Sequence, residues 1–298
     1  MRTKQILIAG LLLTGSLTAC KSPDVGPTDE AIFQANQSDI LAFAKNKGLN
    51  GKSTATGVYI AITKPGSSTG SSIPAEGLEA ELNYTVYALI PGATAGTITE
   101  RLADSTFTTR LRYIPIVITT PGLTEGLLAM REGDQADILL PSFYGFGREG
   151  SANGLVPPNT PIRLDTRLRR LRTEEQQISE YLTANKLNPT ATTASGARIV
   201  KTAVNATGAL PSSGQTLAVR YRGQLLRSTS AFDSTGAGTA AFKLGDTVPG
   251  FNESLATLRV GEKATIVFPS KAGYGAAGRG SIPPYAPLRF DIELISAQ

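Results

Sequence analysis

The 298-residue sequence has no histidine, no tryptophan, one cysteine and two methionines. Without histidine, Ser-His-Asp and Cys-His nucleophile systems and most catalytic zinc sites are excluded, because each needs an imidazole as base or ligand. The single Cys20 cannot close an internal disulfide. Charge is also sparse: 29 Lys+Arg stand against 24 Asp+Glu, and the net +5 falls to +3 once the two cations Arg2 and Lys4 of the N-terminal segment are removed. That balance is too mild to argue for nucleic acid. The one basic run, "RLRRLR" at Arg167 to Arg172, continues a strand and leads into "TEEQQ". A solvated strand face and a helix start account for it, with a phosphate contact as the alternative.

Long apolar runs are absent as well. "ILIAGLLLTG", after Arg2 and Lys4, is too short to span a membrane as an ordinary helix, and small residues in "LTAC" lead to Cys20. The segment resembles a bacterial lipoprotein signal with Leu17-Thr18-Ala19-Cys20 as lipobox. A plain secretory peptide or a buried cysteine are the alternatives. The resemblance implies cleavage before Cys20 and lipidation there, anchoring a soluble body to an envelope membrane. By analogy, Lys21 fits the outer membrane rather than the inner.

What is present is a repeat. "SDILAFAKNKGLN" (Ser38 to Asn50) is echoed by "QQISEYLTANKLN" (Gln176 to Asn188), both with helical spacing of apolar residues. "AELNYTVYALI" matches "LAVRYRGQLLR", "LADST" matches "AFDST", and "TTPGLTEGLLAMREGDQADILLPS" matches "DTVPGFNESLATLRVGEKATIVFPS". "YGFGREGSANGLVPPNTPIRLDTRL" matches "YGAAGRGSIPPYAPLRFDIEL". These alignments pair Tyr84 with Tyr221, Asp104 with Asp233, Tyr144 with Tyr274 and Leu164 with Phe290. The length suits two domains of about 100 to 150 residues.

Each copy reads as a leading helix, two or more strands, a short helix, a glycine-rich loop and a last strand. The short helices show as Leu123, Leu127 and Met130, and as Phe251, Leu255 and Leu258, opened by Pro-Gly and closed by Gly133 and Gly261. In the last strand Leu288, Phe290, Ile292 and Leu294 alternate with polar residues. One helix lying across an antiparallel sheet is an α+β arrangement. The expected segments are 1–19 (signal), 20–54 (spacer with a helix), 55–171 (first domain), 172–194 (helical connector) and 195–298 (second domain), with the leading helices outside the cores.

From about Ser195 to Ala297, "VRYRGQLL", "FDST", "FKLG", "VPGFNESLATLRVGEKATIVFP", "YGAAG" and "IPPYAPLRFDIEL" occur in order. Together they resemble the FKBP-type peptidyl-prolyl isomerases. The resemblance implies a half-barrel of about five antiparallel strands around the helix, with an apolar pocket for a proline side chain and no metal or cofactor. It implies a pocket of Tyr221, Phe232, Asp233, Val248, Phe251, Tyr274, Ile282 and Phe290. Phe251 would be the floor, where the family usually has tryptophan, and Tyr221, Phe232 and Phe290 the walls. Asp233 would hold the Tyr221 hydroxyl and face the twisting amide. The Tyr274 hydroxyl and the Ile282 N–H would bond substrate carbonyls, with the Val248 N–H a further donor. Ala240 or a neighbour stands where many members have another aromatic.

By pattern alone Phe290 and Phe251 are core, Asp233 caps a turn, Tyr274 anchors a loop, and Ile282 is extended because Pro283 follows. In the first copy the wall, floor and last-strand positions read Ala103, Leu123 and Leu164, so that copy is expected to fold but to be weak or inactive. The resemblance implies an envelope isomerase acting on proline-containing polypeptides. A noncatalytic chaperone or binding protein on the same scaffold is the alternative, because fold does not decide function.

Overall fold

The structure, a computed structural model, describes residues 28–66, 72–94, 96–107, 111–117 and 122–298. The signal segment, Cys20 and Pro121 lie outside the described residues. No described helix is long and apolar enough to cross a membrane.

The first copy contains α1 (Asp29–Asn46), β1 (Lys52–Ser53), β2 (Tyr59–Lys64), β3 (Glu79–Pro91), β4 (Ile98–Ser105), β5 (Arg112–Pro115), α2 (Leu123–Leu128), β6 (Gln135–Leu140) and β7 (Ile162–Arg172). The second contains α3 (Glu174–Ala184), β8 (Ala191–Thr192), β9 (Arg198–Ala203), β10 (Thr216–Leu225), β11 (Ala231–Ser234), β12 (Ala240–Lys243), α4 (Pro249–Ala256), β13 (Lys263–Phe268) and β14 (Leu288–Ala297). The sheets run β1-β2-β6-β7-β3-β4, with β5 also on β3, and β11-β10-β14-β13-β9-β8, with β12 also on β10. Read from opposite ends, the two orders are identical, and every pairing is antiparallel.

Each sheet has seven strands rather than about five. A two-residue strand from the leading segment extends one edge, and the other edge strand is broken into two pieces. The irregularities also repeat. Register shifts at Glu81/Leu82 and Val86/Tyr87 in β3 match those at Ala218/Val219 and Gly223/Gln224 in β10. Bulges increase local twist and bend a sheet, which lets each one wrap its helix.

Inside each curve lies one core. Leu127, Met130, Ile138, Leu164 and Leu168 belong to the first, and Phe251, Leu255, Ile266, Phe290 and Ile292 to the second. The alternation read in "LRFDIEL" is real: Leu288, Phe290, Ile292 and Leu294 are buried, while Arg289, Asp291 and Glu293 are half-buried.

The leading helices lie outside these cores but are not free spacers. Ile40, Phe43 and Ala44 of α1 pack on Tyr59, Ala61, Leu89 and Leu139, covering the outer sheet face of the first copy. Ile178 and Leu182 of α3 do the same on Val200 and Val267 of the second. Thr28 caps α1 by accepting from Ala31 N–H (3.2 Å), and Thr173 and Gln176 form a capping box on α3.

The solvated reading of "RLRRLR" needs correction at its end. Arg172 is 4% exposed and reaches Glu79 (3.0 Å), Glu81 (3.1 Å) and Glu180 (3.0 Å). It stays charged, because these carboxylates hold its guanidinium above its ordinary range although burial opposes them. Arg227 of the second copy joins the network through Glu79 (3.0 Å), and Tyr113 offers its ring to both guanidiniums. Exposed Arg170 pairs with Glu180 (2.6 Å).

Candidate active site

The eight pocket positions of the second copy come from four parts of its barrel: β10 (Tyr221), β11 (Phe232, Asp233), the entrance and first turn of α4 (Val248, Phe251), and the last loop and strand (Tyr274, Ile282, Phe290). All eight line one cavity of about 570 Å³. Phe251, 4% exposed, is its hub, with ring centroids 5.1 Å from Phe290, 5.5 Å from Phe242 and 5.9 Å from Tyr221, all near edge-to-face. Phe232 meets Phe290 edge-on at 5.5 Å, and Phe268 stacks behind Phe290 at 5.7 Å. Such pairs fix ring orientation as well as area.

The Tyr221 hydroxyl donates to Asp233 Oδ2 at 2.7 Å. Burial, and then the Asp233 carboxylate, push the Tyr221 pKa up to about 12, so this phenol stays protonated. Among the described residues neither the Tyr274 hydroxyl nor the Val248 N–H has a hydrogen-bond partner. Val248 precedes α4, whose first residue is Pro249, so its N–H lies outside the helical ladder.

One expected role is corrected. The Ile282 N–H donates to Arg279 O at 2.9 Å, in a two-way pair with Arg279 N–H to Ile282 O. A donor already held inside the loop is not free for substrate, so Ile282 contributes its buried side chain as an apolar wall. One further aromatic lines the cavity. It is Phe242 on β12, two residues beyond Ala240 and within the quoted "FKLG".

Asp246, Thr247, Arg279 and Ser281 also line the cavity and carried no sequence signal, since polar residues in glycine-rich turns are commonplace. Gly223 stands out in the repeat alignment as a glycine against Val86. It pairs with both Asp233 and Phe290, and a Cβ there would lie 2.6 Å from Phe290 and 2.7 Å from Phe232. In the first copy the same register position is Val86, opposite Asp104 and Leu164. Three positions thus change together between the copies: Gly223, Phe232 and Phe290 against Val86, Ala103 and Leu164.

The first copy keeps the frame and loses the site. Tyr84 packs on its core with Ala103 and Leu123, and Asp104 accepts from Ser105 N–H (2.8 Å). No hydrogen bond joins Tyr84 to Asp104 among the described residues.

Comparison with known proteins agrees with both barrels. Residues 72–169 and 208–295 match the family described as FKBP-type peptidyl-prolyl cis-trans isomerase. The FKBP-type peptidyl-prolyl cis-trans isomerase FkpA of Aeromonas hydrophila is 37% identical over 126 residues, which are 42% of this chain and 47% of that protein. The human peptidyl-prolyl cis-trans isomerase FKBP9 is 30% identical over 188 residues, 61% of this chain and 29% of that one. FK506-binding protein 1B of Neurospora crassa is 38% identical over 107 residues, 33% of this chain and 95% of that one. The chain thus spans about half the length of the bacterial relative and nearly all of the fungal one. With a matched segment on each half-barrel and more than half of its residues matched, the chain belongs to the FKBP-type peptidyl-prolyl cis-trans isomerase family.

Proposed function

We propose that the second copy is a peptidyl-prolyl cis-trans isomerase and that the first is not. The observation that carries this is the Tyr221–Asp233 hydrogen bond at the mouth of an aromatic cavity, absent from the equivalent place in the first copy. Rotation about an X-Pro bond breaks amide resonance against a barrier of about 18–20 kcal/mol. A site lowers it by binding the twisted amide more tightly than the planar one, with no covalent step. Burying about 100 Å² of proline ring at ~25 cal/mol/Å² supplies about 2.5 kcal/mol to hold the ring while the preceding carbonyl turns. Tyr274 Oη and the Val248 N–H are free to bond substrate carbonyls, and the Asp233 carboxylate faces the turning amide, held by Tyr221.

The clients are proline-containing polypeptides. Uncatalysed isomerisation takes tens to hundreds of seconds, slow enough to limit refolding of exported chains. The signal-like segment ending at Cys20 supports a lipid-anchored place in the bacterial envelope, with the outer membrane favoured by Lys21. A noncatalytic binding role is the second reading for the first copy, whose wall, floor and last-strand positions carry Ala103, Leu123 and Leu164 in place of the aromatics.

NMR exchange spectroscopy on an X-Pro peptide, with the full chain as catalyst, tests the enzymatic reading. Asp233→Ala and Phe290→Ala are each expected to cut kcat/KM by about 10- to 100-fold, equivalent to roughly 1.4–2.7 kcal/mol. No acceleration by the parent chain, or no change in either variant, refutes it. The rate is also expected to stay flat from about pH 6 to pH 9, because the chain has no histidine and Tyr221 ionises only near 12. A bell-shaped kcat/KM profile in that window would reveal an acid or base that this site does not provide.

A further inference from the structure

The loop from Tyr274 to Pro287 forms one wall of the cavity through Ile282, and its stem is closed by Tyr285 N–H donating to Gly275 O (3.0 Å). Tyr285 has φ 54°, in the left-handed region that disfavours a residue with a Cβ. The equivalent residue of the first copy is Asn159, with φ 56°, a residue type that tolerates this conformation. A tyrosine here therefore needs a different reason, and its side chain supplies one. Its hydroxyl donates to Glu76 of the first copy at 2.7 Å, across 209 residues of sequence. Its ring lies against Gly77, where a Cβ would sit 3.3 Å away, and Gly77 itself has φ 81°. Beside this contact, Arg227 bonds Glu79 across the same boundary. Between the two contacts lies a cleft of about 380 Å³ lined by Tyr113, Leu225 and Pro283 to Pro287.

We infer that the turn at Glu76 and Gly77 in the first copy holds the substrate loop of the second through Tyr285, so that the barrel without a site positions the wall of the barrel that has one. Tyr285 and Glu76 are positioning residues, and the inference rests on the isomerase reading above. When the hold is released, the fraction of molecules with the loop in place falls. Apparent substrate affinity then falls with it, while turnover of the bound complex changes little. The first copy thereby has a role in the reaction without binding proline itself.

Amide hydrogen exchange at Arg279 and Ile282 in the full chain, read by NMR alongside isomerase kinetics, tests this. Tyr285→Asn and Glu76→Ala are each expected to raise exchange at those two amides about three- to tenfold. KM for an X-Pro peptide should rise in proportion to the loss of the in-place fraction, with kcat within about twofold. Glu76→Gln keeps an acceptor and should stay near the parent, and Glu76→Ala should add nothing in the Tyr285→Asn background. Exchange within about twofold of the parent in both single variants, or additive effects in the double variant, overturns the inference. If the parent isomerises no peptide, the catalytic reading fails, and the exchange measurements still decide whether the loop is held.

Discussion

Replacing Gly223 by valine is expected to lower kcat/KM for an X-Pro peptide roughly 50- to 100-fold while leaving the β10–β14 register intact. The new Cβ would lie 2.6 Å from Phe290 and 2.7 Å from Phe232, so both rings must move, and the open space beside them is the cavity. Losing about 2.5 kcal/mol of proline-ring burial corresponds to a rate factor of roughly 70. The register should survive because Val86 occupies the same place in the first copy, opposite Leu164 and with Ala103 where Phe232 stands. The triple variant Gly223→Val, Phe232→Ala, Phe290→Leu is therefore expected to recover thermal stability without recovering activity. Isomerase kinetics and thermal unfolding by circular dichroism read the two effects separately. A single variant that keeps kcat/KM within about threefold of the parent would show that this opening does not admit the proline ring.

Arg172→Met is expected to cost about 3–5 kcal/mol, because removing one partner from a buried ion network leaves the others uncompensated. Arg172 is buried among Glu79, Glu81 and Glu180. Burial already raises the Glu79 carboxyl above its usual range, offset in part by Arg227 and Arg172. A methionine keeps the stem's packing, so the loss isolates the charge. With Arg172 gone, Glu79 should be pushed further upward, and the variant should recover part of its deficit as pH falls toward the carboxylate range. Hydrogen exchange in β3 and β7, read at about pH 7 and pH 5, follows the change. A loss below about 1 kcal/mol would mean that the network is as weak as an exposed ion pair.

The repeat, the two short helices, the alternating last strand and the contrast between an aromatic and an aliphatic copy were all legible in the residues. They depend on period, turn chemistry and side-chain type, which are local. The eight candidate positions converge on one cavity because the matched elements keep their order and spacing. Two details of the site were not legible. That Phe242 joins the cavity wall is hidden because a glycine-rich turn leaves the start of β12 unmarked. The Ile282 N–H looked available because a chain pattern says nothing about a partner three residues back across a tight turn.

By itself, the sequence determined two copies of one α+β module, the second aromatic where the first is aliphatic, because alternation, helical spacing and the exchange of Phe232 and Phe290 for Ala103 and Leu164 are properties of the residues alone. The half-barrel and the pocket positions were implied by the family resemblance. Only the tertiary structure decided that Gly223 leaves room for the Phe232 and Phe290 rings, that α1 and α3 cover the outer sheet faces, that Arg172 is buried, and that Tyr285 reaches Glu76. Each of these depends on volume or charge brought together from distant parts of the chain, where no periodicity connects the partners.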